Sequence, residues 1–177
     1  MGCLSSPDLL LINDLFSKST LKKNEYFLGA GEKPDKFGII ISGLFRYFYI
    51  DKSGKEYTKY FARENNFLIS YSSMILGEAS RFYIESLGNS EIIIASFSQF
   101  NKQTENSLIW NKIIRKLIEQ QYFEKEKREY QFLFDDAKTR YKSFLLEYPG
   151  LIDKVKHYYI ASYLGISPVT LSRIRNK

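Results

Sequence analysis

Between residues 21 and 100, apolar and polar residues alternate at short intervals, and glycines interrupt the pattern. Alternation with a period of two is typical of strands with one buried face, and the many aromatic and β-branched residues here favour strands. The glycine turns recur at the interval expected of a small antiparallel barrel or sandwich. The predicted strands cover residues 39–41, 44–50, 56–61, 83–87 and 91–97, after a short helix over residues 7–16.

The hydrophobic period changes to 3.6 over residues 104–134, which predicts one long helix. A wide apolar stripe runs from Leu108 to Ile118, and opposite charges alternate over residues 124–129. At about 1.5 Å per residue such a helix spans roughly 45 Å, more than a compact domain of this size requires. We interpret the stripe as a dimerisation surface on a helix that also connects two domains. The alternative is that the stripe only covers the β-domain.

Residues 157–177 contain two short amphipathic segments on either side of Gly165. Gly165 can adopt the left-handed conformation that ends a helix, Ser167 can cap the next helix, and Pro168 suits its first position. Leu171 and Ile174 would then face inward. The pattern predicts a helix-turn-helix, whose second helix lies in the DNA major groove. Ordinary helical hairpins have the same spacing, so the spacing alone leaves both interpretations open.

The distribution of charge favours DNA binding. From Asp135 to Lys177 the chain has eight basic and four acidic residues, and no acidic residue follows Asp153. This segment therefore carries +4 of the formal net charge of +6. A surface of one sign is expected where a protein binds phosphates, whereas a solvated helix face usually mixes signs.

A β-roll, a long helix and a C-terminal helix-turn-helix resemble the layout of the cyclic-AMP receptor protein / Fnr (Crp/Fnr) family of transcription regulators. Residues 37–50 and 54–58 are similar to that family's central hairpin, and residues 137–141, 159–167 and 170–175 are similar to its DNA-binding domain. The resemblance implies an α+β fold with an antiparallel, cyclic-nucleotide-binding-like β-roll, a long dimerisation helix and a winged-helix-like helix-turn-helix.

On this basis we place the sensor domain at residues 1–103, the connecting helix at 104–134 and the DNA-binding domain at 135–177. The sequence stops at Lys177, where well-studied members continue into a β-hairpin wing, so we expect the wing to be missing or truncated.

The resemblance further implies a cytoplasmic homodimer that binds pseudo-palindromic double-stranded DNA. Arg173 would contact guanine O6 and N7 together, or alternatively a phosphate, and Val169 offers only apolar contact. RNA polymerase and an unidentified small-molecule effector are further partners compatible with the resemblance. The base-reading positions of the family correspond to Pro168, Val169, Thr170 and Arg173, and phosphate contacts are expected from Ser167, Thr170, Arg175 and Lys177.

The effector is not expected to be cyclic AMP. Members that bind it carry a Gly-Glu pair followed further along the chain by an arginine and a small hydroxyl residue. Here Ile69-Ser70 stands at the first place and Ser80 at the second, so a buried phosphate would lack its paired cation. A pocket for another ligand would include Ser70, Tyr71, Ser72, Ser73 and Arg81; the alternative is that these are ordinary loop and helix-surface residues.

Other classes of function find less support in the sequence. The single His157 lies outside the β-domain and Cys3 is the single cysteine, so the ligands of a catalytic metal, an iron–sulfur cluster or a haem are not supplied. We therefore predict no enzyme activity, no metal and no cofactor. No long apolar run or signal peptide is present, so no membrane association is expected. The alternative function is an effector-sensing dimer with degenerate DNA binding that acts through a protein partner.

Overall fold

The computed structural model describes residues 14–176, which fall into two compact units. The first unit comprises the chain up to Tyr49 together with Tyr60–Ile114, and the second comprises Ile50–Lys59 together with the chain from Arg115 onward. The tip of one hairpin thus groups with the C-terminal residues. The helix predicted over residues 7–16 lies almost entirely outside the described residues.

The strands of the described chain are β1 Ser17–Leu21, β2 Tyr26–Leu28, β3 Lys36–Ser42, β4 Phe45–Ile50, β5 Glu56–Ala62, β6 Phe67–Leu68, β7 Tyr83–Ser86 and β8 Ser90–Ser96. They form a β-roll of two four-stranded antiparallel sheets, with strand orders β1-β8-β3-β6 and β2-β7-β4-β5. The predicted strands 44–50, 56–61, 83–87 and 91–97 correspond to β4, β5, β7 and β8, so the predicted antiparallel β-fold is confirmed. The predicted pairing of 83–87 with 91–97 is wrong, because the chain crosses between the sheets at this turn: β7 pairs with β2 and β4, and β8 pairs with β1 and β3.

The core of the roll consists of side chains from both sheets, including Ile40, Phe45, Leu68 and Ile84, none of which is more than 1% exposed. On strand β4, however, four consecutive residues are buried rather than every second one. Arg46 is 1% exposed and pairs with Glu85 on β7 at 3.1 Å, while its guanidinium lies 3.8 Å from the centre of the Phe48 ring. Burying a charge at this position is tolerated because a carboxylate and an aromatic face compensate it.

Beyond β1 the described chain has six helices, α1 Tyr71–Leu76, α2 Phe97–Thr104, α3 Leu108–Phe134, α4 Ala137–Glu147, α5 His157–Leu164 and α6 Pro168–Arg175, and a 3₁₀ turn at Leu151–Asp153. The start of α3 packs Trp110 against Phe100 of α2, with ring centres 5.3 Å apart, in a second apolar cluster of the first unit. The beginning of the predicted apolar stripe therefore covers the β-domain, as the alternative interpretation held, and dimerisation stays a prediction for the rest of the helix.

Candidate nucleic-acid interface

Helices α5 and α6 form the predicted helix-turn-helix. Gly165 has φ +68° and donates its amide to the carbonyls of Ala161 and Ser162, which ends α5 as a left-handed C-cap. The Ser167 hydroxyl then accepts the Thr170 amide at 3.1 Å and caps α6, and Pro168 stands in its first turn. Gly165, Ser167 and Pro168 therefore each have the role in the turn that the sequence predicted.

The inner side of this motif is a small apolar core. Leu171 of α6 is 1% exposed, and Ile160 and Leu164 of α5, the helix that α6 contacts, are also fully buried. Tyr163 extends the core toward α4, where its ring centre lies 5.4 Å from that of Phe144. Both helices contribute fully buried side chains and contact each other, so we expect them to keep a fixed relative orientation.

The opposite side of α6 presents the residues expected to contact DNA. Val169 is 60% exposed, Ser167, Pro168 and Arg173 are exposed, and Thr170 is half-buried with its hydroxyl 2.9 Å from that of Ser167. These side chains share one end or face of the helix, as a major-groove contact requires.

The two remaining residues expected at the DNA backbone are Arg175 and Lys177. The Arg175 guanidinium contacts the imidazole of His157, at the start of α5. Lys177 lies outside the described residues. The exposed surface around α6 is also basic on α5's side, because Lys154 and Lys156 are exposed.

Two arginines of the second unit bind backbone carbonyls at the C-terminus of α5. Arg128 of α3 donates to the Tyr163 carbonyl at 2.7 Å, and Arg140 of α4 donates to the Leu164 carbonyl at 3.0 Å and the Asp135 carbonyl at 2.6 Å. The last carbonyls of a helix lack intrahelical partners and carry partial negative charge, so guanidinium groups are well placed there. Phe132 lies under both guanidinium groups, 4.8 Å from Arg128 and 5.3 Å from Arg140.

Sequence reasoning missed this arrangement, since it counted Arg140 with the cations available for phosphate binding. The only hint in the sequence is an arginine upstream of a helix that ends at a glycine. This hint is weak, because Arg140 and the Leu164 carbonyl that it binds are 24 residues apart.

Of the residues predicted to line a ligand pocket, the structure brings together Ser70 and Ser73. Both are buried, and the Ser70 hydroxyl donates to Ser73 at 3.1 Å and lies 3.4 Å from Ser80. Ser80 in turn donates to the Phe82 carbonyl at 2.9 Å. The three hydroxyls therefore satisfy one another and the neighbouring backbone.

The other three pocket candidates are not part of this cluster. Tyr71 and Ser72 are exposed, and Arg81 is exposed and pairs with Glu78 at 3.6 Å. Just before the cluster, the Tyr47 hydroxyl donates to the Phe67 carbonyl at 2.9 Å and accepts the Ile69 amide at 3.0 Å. Burial raises the pKa of Tyr47, so this hydroxyl stays protonated and fixed between the strands.

Within residues 14–176, no group of three or more His, Cys, Asp or Glu side chains is arranged to hold a metal ion. Over the same range, no helix combines the length and the apolar character needed to span a membrane.

No family model matches the sequence, and no curated protein matches it. Solved structures match it over most of its length. FixK2 from Bradyrhizobium japonicum has a TM-score of 0.78 at 17% identity, covering 92% of this chain and 83% of that chain.

The c-di-GMP-responsive global regulator CLP from Xanthomonas campestris has a TM-score of 0.77 at 11% identity, covering 97% of this chain and 90% of that chain. A Crp/Fnr-family transcriptional regulator from Thermus thermophilus has a TM-score of 0.71 at 16% identity, covering 90% and 84%. At these identities the likeness establishes the architecture, and the chain has the α+β fold of the Crp/Fnr transcription regulators.

Proposed function

We propose that this protein is a cytoplasmic, homodimeric transcription regulator of the Crp/Fnr type that binds specific double-stranded DNA through α6. The observation that carries the proposal is the helix-turn-helix itself, in which the left-handed Gly165, the Ser167 cap and the buried Leu171 leave Val169 and Arg173 exposed on one side. A planar guanidinium at the position of Arg173 can bind guanine O6 and N7 together. The function of the structurally similar proteins agrees with this proposal.

Dimerisation is supported by the second half of α3. Four large apolar side chains there are more than 60% exposed: Tyr122, Phe123, Leu133 and Phe134. The Phe134 ring also stacks on that of Tyr130, with centres 5.0 Å apart. Apolar groups concentrated on one helix favour a protein partner, and a second copy would supply the second recognition helix that a pseudo-palindromic site needs.

The proposed regulator would respond to an effector other than cyclic AMP. By the resemblance of the sequences, Ser70 and Ser80 stand where the family's cyclic-AMP-binding members carry their phosphate-binding residues. In the structure the hydroxyls of Ser70, Ser73 and Ser80 are already hydrogen-bonded to one another and to backbone. Arg81, the arginine nearest in sequence, is exposed and paired with Glu78. Activation of transcription would require a further contact with RNA polymerase.

Selection of bound fragments from sheared genomic DNA tests the proposal, using the purified protein without added ligand at two salt concentrations. Enrichment of a palindrome with half-sites about one helical turn apart is expected. Affinity should fall with salt at a logarithmic slope of about 0.9 per neutralised phosphate. Binding without sequence preference, or no binding at any salt concentration, would contradict the proposal.

Two substitutions separate base contacts from phosphate contacts. Arg173→Ala should weaken binding to the selected site by about 1–3 kcal/mol while changing binding to random DNA little. The matched control Lys156→Ala removes an exposed cation beside α5 and should weaken both DNAs alike. Equal losses on both DNAs for Arg173→Ala would show that this residue binds phosphate only.

A second candidate function is an effector-sensing dimer with degenerate DNA binding that acts through a protein partner. The observation that favours it is the exposed apolar Val169 at a base-reading position, together with Arg175 contacting His157. Under this alternative the selection experiment recovers no preferred sequence, while the dimer still forms.

A further inference from the structure

The tip of the β4–β5 hairpin is hydrogen-bonded to the first helix of the helix-turn-helix, within the second unit. The Ser162 hydroxyl of α5 accepts the Thr58 amide at 2.8 Å and donates to the Glu56 carbonyl at 2.9 Å. The partners are 104 and 106 residues apart in sequence. One side chain thus contacts two backbone groups of the sensor domain's hairpin.

The hairpin offers these groups because β5 is an edge strand of its sheet. Residues two apart on a strand point their backbone groups to the same side, so Glu56 and Thr58 both present theirs to one edge. Thr58 is only 3% exposed, and a buried amide without an acceptor is destabilising. Ser162 occupies the place that a neighbouring strand would otherwise take.

Ser162 itself is placed against local preference. A serine inside a helix usually turns to solvent or donates to the carbonyl four residues earlier. Here its donor and one acceptor are both used on the hairpin. Arg128 reinforces the contact, because it donates to the Tyr163 carbonyl at 2.7 Å and to the Thr58 carbonyl at 3.5 Å, with its guanidinium 3.8 Å from the centre of the Tyr163 ring.

From this geometry we infer that Ser162 is a positioning residue through which the β4–β5 hairpin sets the orientation of α5 and α6. We expect α6 to follow α5, since the two helices contact each other and Leu171, Ile160 and Leu164 on them are fully buried. A change in the hairpin would therefore reach Arg173 without any contact between the hairpin and DNA. The inference rests on the proposed function only where DNA binding is measured. The measurement of hydrogen exchange depends on the hairpin contact alone.

The test compares full-length Ser162→Ala with the unsubstituted protein by amide hydrogen exchange and by DNA binding. Loss of the acceptor should raise the exchange rate of the Thr58 amide at least about tenfold, because a buried hydrogen bond of ordinary strength is removed. Affinity for the selected site should fall about tenfold, while affinity for random DNA stays within about twofold.

Two further variants separate positioning from simple loss of stability. Ser162→Thr keeps the hydroxyl and should retain both the slow exchange and the DNA discrimination. Ser143→Ala makes the same change at another half-buried serine, on α4, and should leave both unchanged.

Unchanged exchange at Thr58 in Ser162→Ala would overturn the inference whatever happens to DNA binding. Faster exchange with unchanged discrimination would also overturn it, because Ser162 would then hold only the hairpin. If the unsubstituted protein selects no DNA sequence, the proposed function fails on its own. The positioning role of Ser162 is then tested by hydrogen exchange of the amides of residues 157–175. Faster exchange there in Ser162→Ala supports positioning, and unchanged exchange there refutes it.

Discussion

Gly165→Ala should destabilise the helix-turn-helix through two effects whose sizes can be separated. A non-glycine residue held at φ +68° costs about 1–2 kcal/mol. The added Cβ would also lie 2.6 Å from Cε1 of the Phe132 ring, and overpacking of this kind costs about 1–3 kcal/mol. Alanine recovers about 0.4–1 kcal/mol by restricting the unfolded chain. The expected net loss is about 1–5 kcal/mol.

Phe132 decides where in this range the loss falls. The ring is 43% exposed and could swing outward, but it lies under the guanidinium groups of Arg128 and Arg140, which bind carbonyls at the end of α5. Moving the ring therefore disturbs both cation–π contacts. We expect the steric part of the loss to fall when Phe132→Leu is combined with Gly165→Ala.

Gly150→Ala is the matched control. Gly150 has φ +72° and belongs to the same unit, but a Cβ there would meet no heavy atom within 4 Å. The control should therefore show the conformational strain alone, about 1 kcal/mol after the gain from the unfolded state.

The assay is amide hydrogen exchange of residues 157–164, which gives the free energy of local opening, supported by urea unfolding followed by circular dichroism. Equal losses in Gly165→Ala and Gly150→Ala would refute the steric part of the reasoning. Absence of any relief in the double variant with Phe132→Leu would refute the role given to the ring.

Two further predictions concern buried charges. Burial, with Lys125 nearby, lowers the pKa of Lys59 to about 8 from a value of 10.5 in the unfolded chain. Between these two pH values the unfolded chain binds more protons than the folded protein. The free energy of unfolding therefore rises with pH across that window. Lys59→Met should stabilise the protein at pH 7 by on the order of 1–3 kcal/mol and lose this gain near pH 10.5 in urea unfolding, whereas the exposed Lys142→Met should show neither effect. Arg46→Met should cost about 3–5 kcal/mol because it leaves the Glu85 carboxylate buried without its cation, and adding Glu85→Leu should recover much of the loss. A double variant as unstable as the single one, measured by urea unfolding, would contradict this explanation.

The fold could be predicted from the sequence where local and global preferences agree. Gly165, Ser167 and Pro168 stand at positions where only a turn between two helices suits all three, and the turn is found there. The strand positions follow in the same way from alternation and glycine turns. The chemistry of the buried polar groups could not be predicted. Arg46 stands in an aromatic strand where a charged residue would normally point to solvent, and its partner is 39 residues away.

The positions of the arginines also change how the basic charge of residues 135–177 should be understood. As a sequence property, that charge indicates a phosphate-binding surface. In the structure, however, Arg140 donates hydrogen bonds to the carbonyls of Asp135 and Leu164, and Arg175 contacts His157. Arginines that bind backbone carbonyls at the C-terminus of a helix stabilise the helix-turn-helix and have fewer donors left for phosphates. In the proposed regulator, the charge available for DNA is therefore smaller than the charge counted along the chain, because Arg140, which was part of that count, binds the end of α5 instead.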